Sequence, residues 1–180
     1  MEKIKEFFKK FKDKLILVGF ILGGILIDHI TKLIVAGNMA LWQSIPIIKD
    51  VLHITYIRNP GAAFGILSEH RWIFMVISVI AIIAVSIYLF GFSKDGWLLK
   101  IGLALITSGG IGNMIDRIAY GYVIDMIDFC LIDFAVFNVA DSFVCVGAGI
   151  VILAIILSII KEQREKKKGE GNTQTENENK

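Results

Sequence analysis

The sequence predicts a mainly α, polytopic membrane protein with four transmembrane helices and a small extracytoplasmic β element. Composition is the first observation behind that expectation. Hydrophobic residues make up 55% of the 180 and charged residues 20%, against about 45–50% and about 25% in a soluble domain. The second is distribution. Much of the charge sits in the two tails, so the apolar residues collect into long runs, the signature of membrane spans. The third is the mean hydropathy of +0.67. The net charge of +2 gives a nucleic-acid partner no electrostatic support.

Residues 1–14 carry Lys3, Lys5, Lys9, Lys10, Lys12 and Lys14 among Ile4, Phe7, Phe8 and Phe11, a basic amphipathic lead-in at a membrane surface. The first apolar run, about 15–35, exceeds a signal-peptide core and has no small-residue cleavage site after it, so it reads as an uncleaved span. Three further spans fall at about 72–92, 97–114 and 139–160, each near the ~20 residues that cross ~30 Å of hydrocarbon. Ser93, Lys94, Asp95 and Gly96 form a very short link, which makes spans two and three a helical hairpin. The single membrane domain thus covers 1–160, and the polar remainder, 161–180, is expected to be disordered.

Lysine and arginine fix the expected orientation. They crowd both tails and bracket the short hairpin as Lys94 and Lys100. The positive-inside rule then places both termini in the cytoplasm and the longer connections outside. The first of these, 37–71, holds two segments rich in β-branched and aromatic residues at about 45–57, separated by Lys49 and Asp50, and reads as a small β element. Asn59, Pro60 and Gly61 make a turn after it.

Polar groups punctuate the outer ends of the spans. Asp28 and Lys32 are four apart on one helix face, in the favourable order. They read equally as an interfacial ion pair with Lys32 snorkelling. Ser108 and Gly112 suit a small-xxx-small helix contact. Asn113, Asp116 and Arg117 share a face and can satisfy one another. Asn138 and Asp141 fit an N-cap with an acid at N3. Asp125, Asp128 and Asp133 can be solvated loop acids. Together, however, these groups reach one membrane depth, and ionisable residues near lipid mark functional sites. Two neighbouring carboxyls, one protonated and one ionised, suffice to hydrolyse a peptide without metal or covalent intermediate. Cys130 and Cys145 read as small hydrophobes, and His29, His53 and His70 are scattered, so the sequence supports no bound metal and no cofactor.

The ordered set D-x-x-x-K, N-x-G-A-A-F, G-G-x-G-N-x-x-D-R, V-x-D and F-N-x-A-D-S resembles lipoprotein signal peptidase (signal peptidase II) from Asp28 to the start of span four. The resemblance implies an aspartyl endopeptidase of the bacterial cytoplasmic membrane, with its active site near the outer face. It would cut signal peptides from diacylglyceryl-modified prolipoproteins, with membrane lipid as its other partner. It implies Asp125 and Asp141 as the catalytic acids. Asp28, Lys32, Asn59, Gly61, Asn113, Arg117 and Asn138 would then be structural or substrate-contacting residues. His29 departs from the family's usual glutamine, and Met126 from its usual phenylalanine, with possible effect on how Asp125 packs. Two rival functions are a proton-coupled transporter, whose acids should trace a path across the membrane, and a Ser–Lys peptidase pairing Lys32 with Ser142. The sequence assigns no oligomeric state.

Overall fold

The computed structural model describes residues 1–61, 71–92, 96–132 and 134–178. Ala62, Ala63 and Phe64, the hairpin residues Ser93, Lys94 and Asp95, and Asp133 lie outside the described residues. In chain order come α1 (Glu2–Asn38), β1 (Ser44–Ile48), β2 (Leu52–Asn59), α2 (Arg71–Ile87), α3 (Trp97–Ala119), β3 (Val123–Asp128) and α4 (Val139–Glu178). A π-helical turn, Tyr88–Phe92, prolongs α2, and a 3-10 turn, Cys130–Ile132, follows β3.

Stretches of α1, α3 and α4 are long and apolar enough to cross a membrane, namely Ile4–Asn38, Trp97–Ala119 and Val139–Lys166; the shorter Met75–Gly91 adds a fourth apolar helix. Their outer surfaces are aliphatic: Leu26 and Leu33 on α1, Ile80 and Ile83 on α2, and Ile152 and Ile156 on α4 are all exposed. Inside, the order is reversed. The largest fully buried side chains among the described residues are Lys32, Asn138, Asp28, Asp116, Asp125 and Ser108, every one polar. A water-soluble core buries aliphatic side chains first. Only where lipid bathes the exterior does a protein gain by facing apolar groups outward and gathering polar ones inside. The chain is a polytopic membrane protein.

The lead-in and first span form one helix. Its 37 residues rise about 55 Å at 1.5 Å each, well beyond the ~30 Å hydrocarbon core. At the other end, α4 runs from Val139 to Glu178, beyond the apolar run that stops near residue 160. The i,i+4 pairs Lys166–Glu162, at 2.8 Å, and Lys161–Glu165, at 3.9 Å, extend the helix once the apolar run stops.

Helix α3 is the hub, packing most extensively on α4, then on α1 and α2. Small residues set its approach to both neighbours. A Cβ on Gly109 would collide with the Ala140 carbonyl oxygen, and one on Gly112 would sit 2.7 Å from Asp28 Oδ2. The glycines are therefore packing residues whose absent side chains leave room for a buried carboxylate.

The expected β element is larger than two strands. The antiparallel sheet runs β1-β2-β3, and β3 comes from the second outer connection. Gly121, at φ 78° just past α3, supplies the left-handed backbone that turns the chain from helix into strand. The sheet caps the end of α1 through Val35, Tyr56, Ile124 and Met126. Strand alternation puts Met126 on the face opposite Asp125, so the departure at this position fills the cluster under the sheet and leaves the carboxylate's surroundings alone.

Candidate active site

The first polar cluster centres on Lys32. Its ammonium lies 2.8 Å from Asp28 Oδ2, 3.0 Å from Asp116 Oδ2 and donates to Asn113 Oδ1 at 3.0 Å. Two carboxylates and one amide oxygen thus surround a single ammonium. The snorkelling reading is corrected here: Lys32 is 1% exposed and turns into the bundle. The shared-face reading of Asn113, Asp116 and Arg117 changes too, because Asp116 is held by Lys32 and by the Ile124 backbone N–H at 3.3 Å. Asp28 also accepts the Ala140 N–H at 2.8 Å, which ties α1 to the first turn of α4. Asp116 was missing from the expected site residues. Its partner lies on another span, so spacing along the helix could not show it. His29 Nδ1 stands 4.0 Å from Asp116 Oδ1.

The second cluster holds Asp125 and Asp141, oriented by three asparagines. Asn59 Nδ2 donates to Asp125 Oδ2 at 3.0 Å, and Asn138 Nδ2 to Asp125 Oδ1 at 2.6 Å. Asn113 Nδ2 donates to Asp141 Oδ1 at 2.7 Å. Each amide can face only one way, because its oxygen meets a group that can only donate. Asn59 Oδ1 accepts the Gly61 N–H at 3.0 Å, Asn138 Oδ1 the Asp141 N–H at 2.9 Å, and Asn113 Oδ1 the Lys32 ammonium. Asn113 Oδ1 also accepts from Asn138 Nδ2 at 3.0 Å, so one chain of amides links Lys32 to both acids. Asp141 Oδ2 accepts the Asn138 N–H at 3.2 Å, completing a reciprocal capping box. The capping and functional readings of this pair describe the same bonds.

Asp125 and Asp141 line a cavity of about 350 Å³ whose walls also include Asn113, Arg117, Phe137 and Val144. Burial raises the Asp125 carboxyl to about 7; the charge of Asp141 pushes the same way, while the Asn59 and Asn138 amides oppose it. Arg117 reaches carbonyl oxygens, donating to Asn113 O and Gly61 O at 3.4 Å each, and so staples the turn after β2 to α3. Asp128 is engaged elsewhere, accepting from Thr55 Oγ1 at 2.6 Å. Nor does a Ser–Lys pair form, since the Ser142 hydroxyl donates to Asn138 O at 3.0 Å while Lys32 is saturated. The scattered histidines misled on one point: the sheet brings His53 beside Asp128 and Cys130.

Comparison with known proteins finds relatives of the chain. The family model described as signal peptidase (SPase) II matches residues 15–157. A lipoprotein signal peptidase of Halothermothrix orenii is 47% identical over 129 residues, covering 72% of this chain and 87% of that one. One from Brevibacillus brevis is 42% identical over 133 residues, covering 74% and 89%. A bacterial membrane enzyme solved by the in meso method at 2.3 Å superposes with a TM-score of 0.72 at 32% identity, covering 83% of this chain and 90% of that one. Four apolar helices, a polar interior and the matched length converge on one assignment: the chain belongs to the signal peptidase II family.

Proposed function

We propose that the protein is a membrane-embedded aspartyl endopeptidase that removes signal peptides from bacterial prolipoproteins, cutting before the lipid-modified cysteine. One observation carries the reading. Two carboxyls from different elements face one cavity, with a single residue, Asn138, donating to both, through its side-chain amide to Asp125 and its backbone N–H to Asp141. The lipoprotein signal peptidases of the two relatives supply the substrate class.

Asp125, held neutral by burial, is the acid; Asp141, taking the Asn113 amide and the helix N-terminal N–H, is the base. Water between them loses a proton to Asp141 as its oxygen attacks the scissile carbonyl, and Asp125 protonates the carbonyl oxygen. The tetrahedral diol then collapses. The C–N bond breaks, one hydroxyl proton returns to Asp125, and the proton on Asp141 passes to the leaving nitrogen. Both acids end as they began. Asn59, Asn113 and Asn138 hold the carboxylates, and Lys32 with Asp28 and Asp116 holds the asparagine that faces Asp141.

The test is incubation of purified protein with a diacylglyceryl-modified prolipoprotein, followed by mass analysis of both products. A new N-terminus at the modified cysteine supports the reading, and an intact substrate overturns it. The proposed orientation in the cytoplasmic membrane puts both termini inside and the sheet outside. Single cysteines at Arg58 and Lys94, with Cys130 and Cys145 removed, should label from opposite faces; labelling from the same face would refute it.

A further inference from the structure

We propose that His53, Asp128 and Cys130 form a binding site for a divalent cation of the zinc class, on the sheet and apart from the two catalytic acids. His53 in β2 is the cross-strand partner of Asp128 in β3, and Cys130 opens the 3-10 turn two residues later. A ring nitrogen of His53, an Asp128 carboxylate oxygen and Cys130 Sγ all lie within 4.8 Å of one another. Nitrogen, oxygen and sulfur donors from three side chains suit zinc, and leave a fourth tetrahedral position open. Calcium and magnesium demand all-oxygen cages and fit poorly.

Hydrogen bonding prepares these groups for an ion. Thr55 Oγ1 donates its one proton to Asp128 Oδ2 at 2.6 Å. Ser44 Oγ is 2.8 Å from Thr55 Oγ1, which has no proton left for it, so Ser44 must donate there. Ser44 in turn has no proton left for His53 Nδ1, 3.1 Å away, and must accept from it. The proton therefore sits on Nδ1, and Nε2 keeps its lone pair. Nε2 is buried without a hydrogen-bond partner, a costly state for an imidazole nitrogen unless something binds it. A ligating histidine bonded through its other nitrogen, beside a ligating carboxylate that is itself bonded, is the usual outer support of a metal site.

The experiment uses detergent-solubilised, full-length protein without a histidine tag, titrated with cobalt(II) and then with zinc(II). Saturation at one cobalt per chain, with a thiolate-to-cobalt charge-transfer band that zinc abolishes, is the expected result. Cys130→Ser should lose the band, and His53→Gln should weaken binding at least tenfold. Prolipoprotein cleavage by the same preparations checks that each variant is folded. Absence of saturable cobalt binding by the wild type, or an undiminished band in Cys130→Ser, would overturn the proposal.

Discussion

Two pairs of carboxylates, buried except for the part-buried Asp141, are joined through Asn113 and are solved in opposite ways. Around Lys32, two acids flank one ammonium that also donates to Asn113. Around Asn138, two acids take their hydrogen bonds from amides, Arg117 acts on them only through space, and Asp125 keeps a proton near neutrality. A buried carboxylate needs either a counter-charge or a proton. The first choice makes a strut, because the charges cannot leave without large cost. The second makes a group that can give its proton away. Residue type is the same in both; under the proposed mechanism, the available donors separate a structural cluster from a reactive one.

The sharpest way to break this contrast is to remove the acid-and-base pair. Asp125→Asn and Asp141→Asn should each lower cleavage by roughly 10²–10⁴-fold, the scale of general acid–base catalysis, while the protein still inserts. Product formation from a lipidated prolipoprotein, normalised to membrane level, measures it. Cleavage by both variants would end the aspartyl reading.

Next comes the strut. Lys32→Met leaves Asp28 and Asp116 buried without their ammonium and should cost about 3–5 kcal/mol. Thermal unfolding in detergent would show it, along with lost activity as Asn113 is released from Lys32. A variant as stable as wild type would place Lys32 outside the load path.

Arg117 lies between the two effects. Its guanidinium bridges two carbonyls that a single ammonium cannot span in the same geometry. Arg117→Lys should lower kcat by roughly ten- to a hundredfold through misplacement alone. Wild-type turnover would reduce Arg117 to an interfacial anchor.

The smallest effect is titration. Asp125 sits near 7 in the folded chain, against 3.8 ordinarily. The unfolded chain ionises this acid first as pH rises, so the folded state loses relative stability between these values and has lost the whole contribution above 7. Cleavage should decline above about pH 7 as the shared proton departs. Asp125→Asn should flatten the stability profile over the same window, and Asp128→Asn should leave profile and activity essentially intact.

Much of this was legible in the sequence. Long apolar runs mark the spans, and the i,i+4 spacing of Asp28 and Lys32 and the i,i+3 spacing of Asn138 and Asp141 are local patterns that survive folding unchanged. What escaped depends on contacts between distant segments. Asp116 looks like a partner for Arg117 along the helix, yet the nearest ammonium belongs to another span. The third strand was hidden because Val123–Asp128 is short and pairs with β2, far away in sequence. His53 and Cys130 are unremarkable until that pairing sets them side by side.

The capping box at the start of α4 has a consequence for how the molecule comes into being. Asp141 is the last of these polar residues to be synthesised, and Ala140 beside it donates the bond that docks the new helix on Asp28. On the proposed mechanism the acid-and-base pair is incomplete until that segment has been made, so a nascent chain would stay inactive until the first turn of α4 has formed.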